Sequence, residues 1–218
     1  MLRIAIDGPG GAGKSTVAKG VAQRYGIDYV DTGAMYRAVA LKTVRNGIDC
    51  EDVNAIAVML DSTTIDFNGA NIILDGEDVS EYIRTNEVSM MASNVSKLAP
   101  VREFVSSFSR HLAETKDLVM DGRDIGTNVI KDAEVKIFMT ASVEVRARRR
   151  YRQLLEAGKE ADLEKIKEEI EKRDYQDSHR ELNPLTQADD AIFLDTSDMD
   201  LETNIDAVCE IVDSIINK

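Results

Sequence analysis

Ile4-Ala5-Ile6-Asp7-Gly8-Pro9-Gly10-Gly11-Ala12-Gly13-Lys14-Ser15-Thr16 is the stretch whose reading decides the fold. An apolar triplet reads as a short strand. Two glycines five residues apart, Gly8 and Gly13, are followed by a lysine and a hydroxyl residue. Val17, Ala18, Val21, Ala22 and Tyr25 then recur at the spacings of one helix face, and Gly26 ends the run. Strand, glycine loop and helix thus stand in the order that a phosphate-binding loop requires. The glycines let successive backbone N–H groups converge on phosphate oxygens, and the helix N-terminus adds its partial positive charge. Lys14 is placed to reach the β- and γ-phosphates, and Ser15, with Thr16 beside it, to meet a magnesium ion carried by the nucleotide.

Outward from this loop, short apolar runs recur at Tyr29-Val30, Leu118-Val119-Met120, Val135-Lys136-Ile137-Phe138-Met139 and Ile192-Phe193-Leu194. Segments with helical spacing separate most of them, which predicts an α/β protein with a central parallel sheet flanked by helices. Between Thr63 and Thr85 the period changes to two. Ile65 and Phe67 alternate with polar residues, Asn68-Gly69 signals a turn, Ile72 and Leu74 alternate again, and Asp75-Gly76 follows. That pattern predicts an antiparallel meander inserted into the α/β core. Residues 142–180 read as two charged helices separated by Glu156-Ala157-Gly158-Lys159.

The chain has 218 residues, 43% of them hydrophobic, enough to bury one substantial core but hardly two. A net charge of −13 argues against nonspecific binding to nucleic acid polymers or anionic membranes, which calls for a broad basic face. No apolar run approaches membrane-spanning length, and the N-terminus enters its first strand without a signal-peptide pattern, which points to the cytoplasm. Cys50, Cys209, His111 and His179 have neither metal-ligand spacing nor the spacing of a redox pair. A polyanionic ligand must therefore meet a local basic cluster, and Arg146, Arg148, Arg149, Arg150 and Arg152 provide one. Composition alone reads that cluster equally well as a solvated helix face paired with Glu144 and Glu156.

Three further groups carry chemistry. Asp31-Thr32-Gly33-Ala34-Met35-Tyr36-Arg37 follows the second strand and puts a hydroxyl, a tyrosine and an arginine at the carboxyl end of the sheet, where open α/β folds bind ligands. Asp121-Gly122-Arg123-Asp124 projects from the end of another strand. Arg173, Asp177 and Arg180 are spaced to share one face of the second charged helix. Taken singly, each also reads as a helix cap, a polar turn or a surface ion pair.

Together these motifs resemble the bacterial cytidylate kinases, a family of nucleoside monophosphate kinases, over essentially the whole chain. The Asp-Thr-Gly-Ala-Met-Tyr-Arg segment at 31–37, the Asp-Gly-Arg-Asp-Ile-Gly-Thr segment at 121–127 and the long insert before residue 100 carry the likeness. The resemblance implies a P-loop kinase fold with a core over about 1–32, 104–147 and 173–218, a monophosphate-binding insert over about 33–103 and a helical lid over about 148–172. It implies magnesium-ATP as donor, with Gly8 through Thr16 holding the phosphates and one of Arg148, Arg149 and Arg150, Arg149 the favourite, reaching them from the lid. The acceptor would be CMP or dCMP. Thr32, Tyr36 and Arg37 would line its site, Arg123 and Arg180 would help Arg37 hold its phosphate, and Arg173 and Asp177 its sugar. Ser93, Arg102 and Asp124 would read the cytosine. The carboxylate suits the cytosine amino group, while uracil offers a carbonyl in the same place.

An acceptor phosphate is ionised at neutral pH, so transfer needs positioning and charge neutralisation more than a general base. Lys14, Arg123, Arg149 and Arg180 are the candidates for that work, and Asp121 a candidate to hold magnesium through a water. Arg146 and Arg152 are left as solvated residues. The family likeness also implies a monomer. A P-loop kinase for another acceptor, such as UMP, shikimate or a sugar acid, and a nucleotide-switched ATPase module are the alternatives. The sequence has no Asn-Lys-x-Asp segment of the kind that recognises guanine.

Overall fold

The computed structural model describes residues 1–217. In chain order its elements are β1 (Arg3–Asp7), α1 (Lys14–Tyr25), β2 (Asp28–Asp31), α2 (Thr32–Arg45), α3 (Val53–Asp61), β3 (Ile65–Asn68), β4 (Asn71–Leu74) and β5 (Glu77–Asp78). These are followed by α4 (Asn86–Val95), α5 (Ala99–Thr115), β6 (Leu118–Gly122), β7 (Val135–Thr140), α6 (Val143–Glu156), α7 (Leu163–His179), β8 (Ile192–Asp195) and α8 (Leu201–Ile216). A 3-10 turn covers Tyr82–Arg84 and a wide π turn covers Ile125–Val129. The chain forms two compact units, one of residues 1–27 with 117 onward and one of residues 28–116.

In the first unit the strand order is β6-β1-β7-β8, and every pairing is parallel. Ile6 is opposite Asp121 on one side and Ile137 on the other, and Phe138 is opposite Phe193. Ile4, Ile6, Leu118, Met120, Ile137 and Met139 are fully buried, as expected for strands covered on both faces, where an apolar run need not alternate. β8 is more exposed, and its Phe193 stacks on Phe138 with ring centroids 6.3 Å apart. α1 packs on α8 and against β6. Gly8, at φ 148°, permits the loop after β1 to pass β7, because a Cβ there would lie 1.9 Å from the Met139 carbonyl oxygen.

The second unit holds the expected meander. β3, β4 and β5 pair antiparallel, with Ile65 opposite Leu74 and Phe67 opposite Ile72. Ion pairs tie it to α2, Lys42 to Asp75 at 2.6 Å and Arg45 to Glu77 at 2.6 Å. α2 buries Ala34, Met35, Ala38, Val39 and Leu41 and packs against α4 and α5.

Part of the chain's acidity is spent on starting helices. The carboxylates of Asp31, Asp52, Asp162 and Asp200 accept backbone N–H groups at the N-termini of α2, α3, α7 and α8. Each such cap satisfies orphan donors and suits the positive end of the helix dipole. Among the described residues no helix is long and apolar enough to cross a membrane.

Candidate active site

The loop at residues 8–13 joins β1 to α1, and Gly13, at φ 94°, offers no side chain to cap that helix. The leading N–H groups of α1 are thus presented to an anion rather than to a capping side chain. Lys14 is buried and its Nζ donates to the Pro9 carbonyl at 2.9 Å. Burial, reinforced by the Arg123 guanidinium, pulls its pKa down to about 7, against the opposing pull of Asp121 and Asp7. Ser15 Oγ donates to Asp121 Oδ2 at 2.9 Å, so the hydroxyl and the carboxylate marked in the sequence form one pair.

Arginines gather around this loop. A Cβ at Gly10 would lie 3.2 Å from Arg123 Nη2 and 3.7 Å from Arg173 Nε. Arg123 Nε donates to Asp177 Oδ2 at 2.8 Å. Burial is the largest single influence on Asp177 and would raise its pKa, but Arg123, Arg173 and Arg180 together hold it below the usual carboxylate value. Arg180 Nη2 donates to Asp124 Oδ1 at 3.1 Å, and both side chains are under a tenth exposed. Arg149 Nη1 donates to the Ala12 carbonyl at 3.3 Å and Nη2 to the Thr196 carbonyl at 2.9 Å. Arg148 and Arg150, also in α6, are exposed. Of Arg148, Arg149 and Arg150, Arg149 is therefore the one that reaches the glycine loop.

Two sequence readings need correction. Arg146 is not solvated. It is 4% exposed, with Nε on the Ala141 carbonyl at 2.8 Å, Nη1 on the Gly10 carbonyl at 3.0 Å, and both Nη atoms on the Asp174 carboxylate at 3.0 and 2.6 Å. Arg180 does not continue the helical face of Arg173 and Asp177. α7 ends at His179, and Arg180 is extended at φ −66°, ψ 146°. A turn beyond it, with Asn183 at φ 48°, sends Leu185 N–H back to the Asp177 carbonyl. Arg180 reaches Asp124 from that turn.

In the second unit Thr32 is buried at the start of α2, and Arg37, one turn on, donates to Asp31 Oδ2 at 3.1 Å. Arg102 is buried on α5, donates to the Ser96 carbonyl at 3.1 Å, and holds its guanidinium 5.8 Å from the centre of the Tyr36 ring. Ser93 is half-buried on α4.

Asp7, Thr196 and Asp174 escaped the sequence reading. Asp7 accepts the N–H groups of Ile125 and Gly126, each at 2.8 Å. Thr196, fully buried, donates to the Thr140 carbonyl at 2.9 Å beside the loop. The available signal was a polar residue at the end of an apolar strand, Asp7 closing β1 and Thr196 following β8. For Asp174 it was the residue between two singled-out positions.

Among the described residues no three His, Cys, Asp or Glu side chains gather to hold a metal ion by themselves. The Ser15–Asp121 pair does fit magnesium brought by a nucleotide, since both offer hard oxygen donors beside the lysine of the loop.

Residues 4–216 match the family model described as cytidylate kinase. A cytidylate kinase from Caldanaerobacter subterraneus subsp. tengcongensis is 49% identical over 211 residues, which cover 97% of this chain and 94% of that protein. One from Clostridium botulinum strain Langeland is 44% identical over 97% of both chains. Among solved structures, a shikimate kinase from Bacteroides thetaiotaomicron aligns with a TM-score of 0.51 at 14% identity, over 97% of this chain and 98% of that one. An uncharacterized protein from Eubacterium ventriosum aligns with a TM-score of 0.53 at 16% identity, over 98% and 99% of the respective chains. At such identity the structural likeness establishes the fold alone.

Proposed function

The chain belongs to the cytidylate kinase family, and from that premise we propose that it transfers the γ-phosphoryl group of ATP to the phosphate of CMP or dCMP, releasing ADP and CDP or dCDP. One observation carries the reading: on a chain of net charge −13, Lys14, Arg123, Arg149 and Arg173 converge on a single glycine loop. A phosphoryl group in transfer spreads negative charge over its oxygens, and fixed cations in a dry site stabilise it most.

We assign the donor phosphates to the backbone of Gly8 through Thr16 and to Lys14, with Arg149, and secondarily Arg148, closing on them from the lid. The acceptor is assigned Thr32, Tyr36 and Arg37 together with Arg123 and Arg180 for its phosphate, Arg173 and Asp177 for its sugar, and Ser93, Arg102 and Asp124 for its base. Lys14, Arg123, Arg149 and Arg180 take the catalytic roles. Magnesium carried by ATP would be held by Ser15 Oγ directly and by Asp121 through water, and it supplies charge neutralisation at the β- and γ-phosphates. Several arginines paired with carboxylates suit a phosphorylated acceptor better than a neutral hydroxyl compound such as shikimate.

The proposed insert, about residues 33–103, lies wholly within the compact unit 28–116. The proposed core and lid cover the rest. Acting on free nucleotides, the enzyme is placed in the cytoplasm as a monomer, with no role for membranes or nucleic acid polymers. Calorimetric titration with a non-hydrolysable ATP analogue present tests the acceptor assignment. Saturable binding of CMP and dCMP, with UMP and shikimate far weaker, is the expected result; equal binding of shikimate contradicts it.

A further inference from the structure

Asp7 is the last residue of β1, immediately before the glycine loop, and is 5% exposed. Its two carboxylate oxygens accept the N–H groups of Ile125 and Gly126, both at 2.8 Å. These are the leading N–H groups of the π turn Ile125–Val129, and such groups have no partner within the turn itself. Turns of this kind recur at functional sites.

The residue that would ordinarily cap the turn is Asp124, an aspartate and so a favoured capping type. It does not do so. At φ −146°, ψ 31° its side chain makes no cap hydrogen bond and instead accepts from Arg180 Nη2 at 3.1 Å and Asn128 Nδ2 at 3.1 Å. We propose that Asp7 is a positioning residue that caps the 125–129 turn in place of Asp124, keeping the Asp124 carboxylate oriented on Arg180 and available to the acceptor base.

The packing around the clamp is close enough to make it directional. A Cβ at Gly126 would meet Lys136 Cδ at 3.2 Å and Asp7 Oδ2 at 3.4 Å, so the turn seats on Asp7 with little room to shift. Deprived of Asp7, the turn leaves two buried N–H groups unsatisfied, and the Asp124 carboxylate, at the capping position, is placed to turn to them. Rotation of Asp124 into the cap would take it from Arg180.

The inference rests on the assignment of Asp124 to the cytosine, so three variants are compared for kcat/KM with CMP and with UMP and for ATP-analogue affinity. Asp7→Asn keeps the shape but can accept only one N–H and turns its own amide hydrogens toward the other. The expected result at pH 8 is a loss of about tenfold in CMP-over-UMP preference, the scale of one buried donor left unpaired. ATP-analogue affinity should fall less than that preference, because loss of the Asp7 charge loosens the proton on Lys14 but leaves the loop backbone to hold the donor. A merely structural role would lower the folded fraction and leave that preference unmoved. Gly126→Ala, whose added methyl presses on Asp7 and Lys136 across the same contact, should move the preference the same way and decides the matter should Asp7→Asn not fold. Unchanged preference in these variants while Asp124→Ala loses it overturns the role of Asp7, as does an equal loss in ATP-analogue affinity. Asp124→Ala without effect overturns the base assignment beneath it.

Discussion

At the scale of single residues, Lys14 makes the sharpest pH prediction. Its folded pKa of about 7 lies below the ordinary 10.5, so the stability it contributes is present above pH 10.5 and lost as the pH falls through 7. A triphosphate beside the amine favours its charged form, so ATP binding should take up a proton above pH 7. ATP affinity should then fall by up to about tenfold per pH unit from there upward. Dissociation constants measured from pH 6 to 9 check this. Lys14→Met should bind more weakly with a flatter profile, and a flat profile in the unaltered protein contradicts the shift. For Asp124, exchange to alanine should reduce the preference for CMP over UMP by about 1–3 kcal/mol, the scale of one base contact. Competitive turnover of the two acceptors measures it. Arg180→Ala should raise the KM for CMP with ATP binding little changed, and a parallel loss of ATP affinity would move Arg180 to the donor site.

Among elements, the Arg146–Asp174 pair links α6, α7 and the carbonyl of Gly10. Its side chains are 4% and 26% exposed, so removal of Asp174 strands a nearly dry cation, while removal of Arg146 leaves a carboxylate that still reaches water. Asp174→Leu should therefore destabilise by roughly 3–5 kcal/mol in urea unfolding and Arg146→Met by less; the reverse order would contradict the burial argument. This pair also shows where sequence reading stopped. Five arginines within seven positions fix a basic helix, but the one that turns inward is chosen by Gly10 and Asp174, 136 and 28 residues away. Arg180 illustrates a second limit. Its i+7 spacing was a sound helical inference, but a turn with Asn183 at positive φ ends α7 one residue earlier. The strands and the meander were legible because their signals are local: continuous apolar runs for β1 and β7, period-two alternation around Asn68-Gly69 for β3 and β4. Asp7 is marked in the sequence only as a polar residue ending an apolar strand; its role is not, because its partners are backbone N–H groups, which leave no mark on residue type.

For the whole molecule, the glycine loop and the cations around it lie in the unit that also contains β6, β7 and α8. A ligand bound there should raise the free energy of unfolding by mass action, by about 2.7 kcal/mol for ATP at a hundred times its dissociation constant. Urea midpoints with and without nucleotide read that directly, and no shift at saturation would remove ATP from the loop. The excess negative charge leaves the arginine cluster as the route for anions, which suits small phosphate compounds rather than polymers. The central claim is the identity of the acceptor. The measurement that tests it most directly is ADP formation from magnesium-ATP with CMP, dCMP, UMP, AMP, GMP, shikimate or no acceptor. Strong turnover with CMP and dCMP alone is predicted; turnover without acceptor, or with shikimate in preference to CMP, would contradict the account.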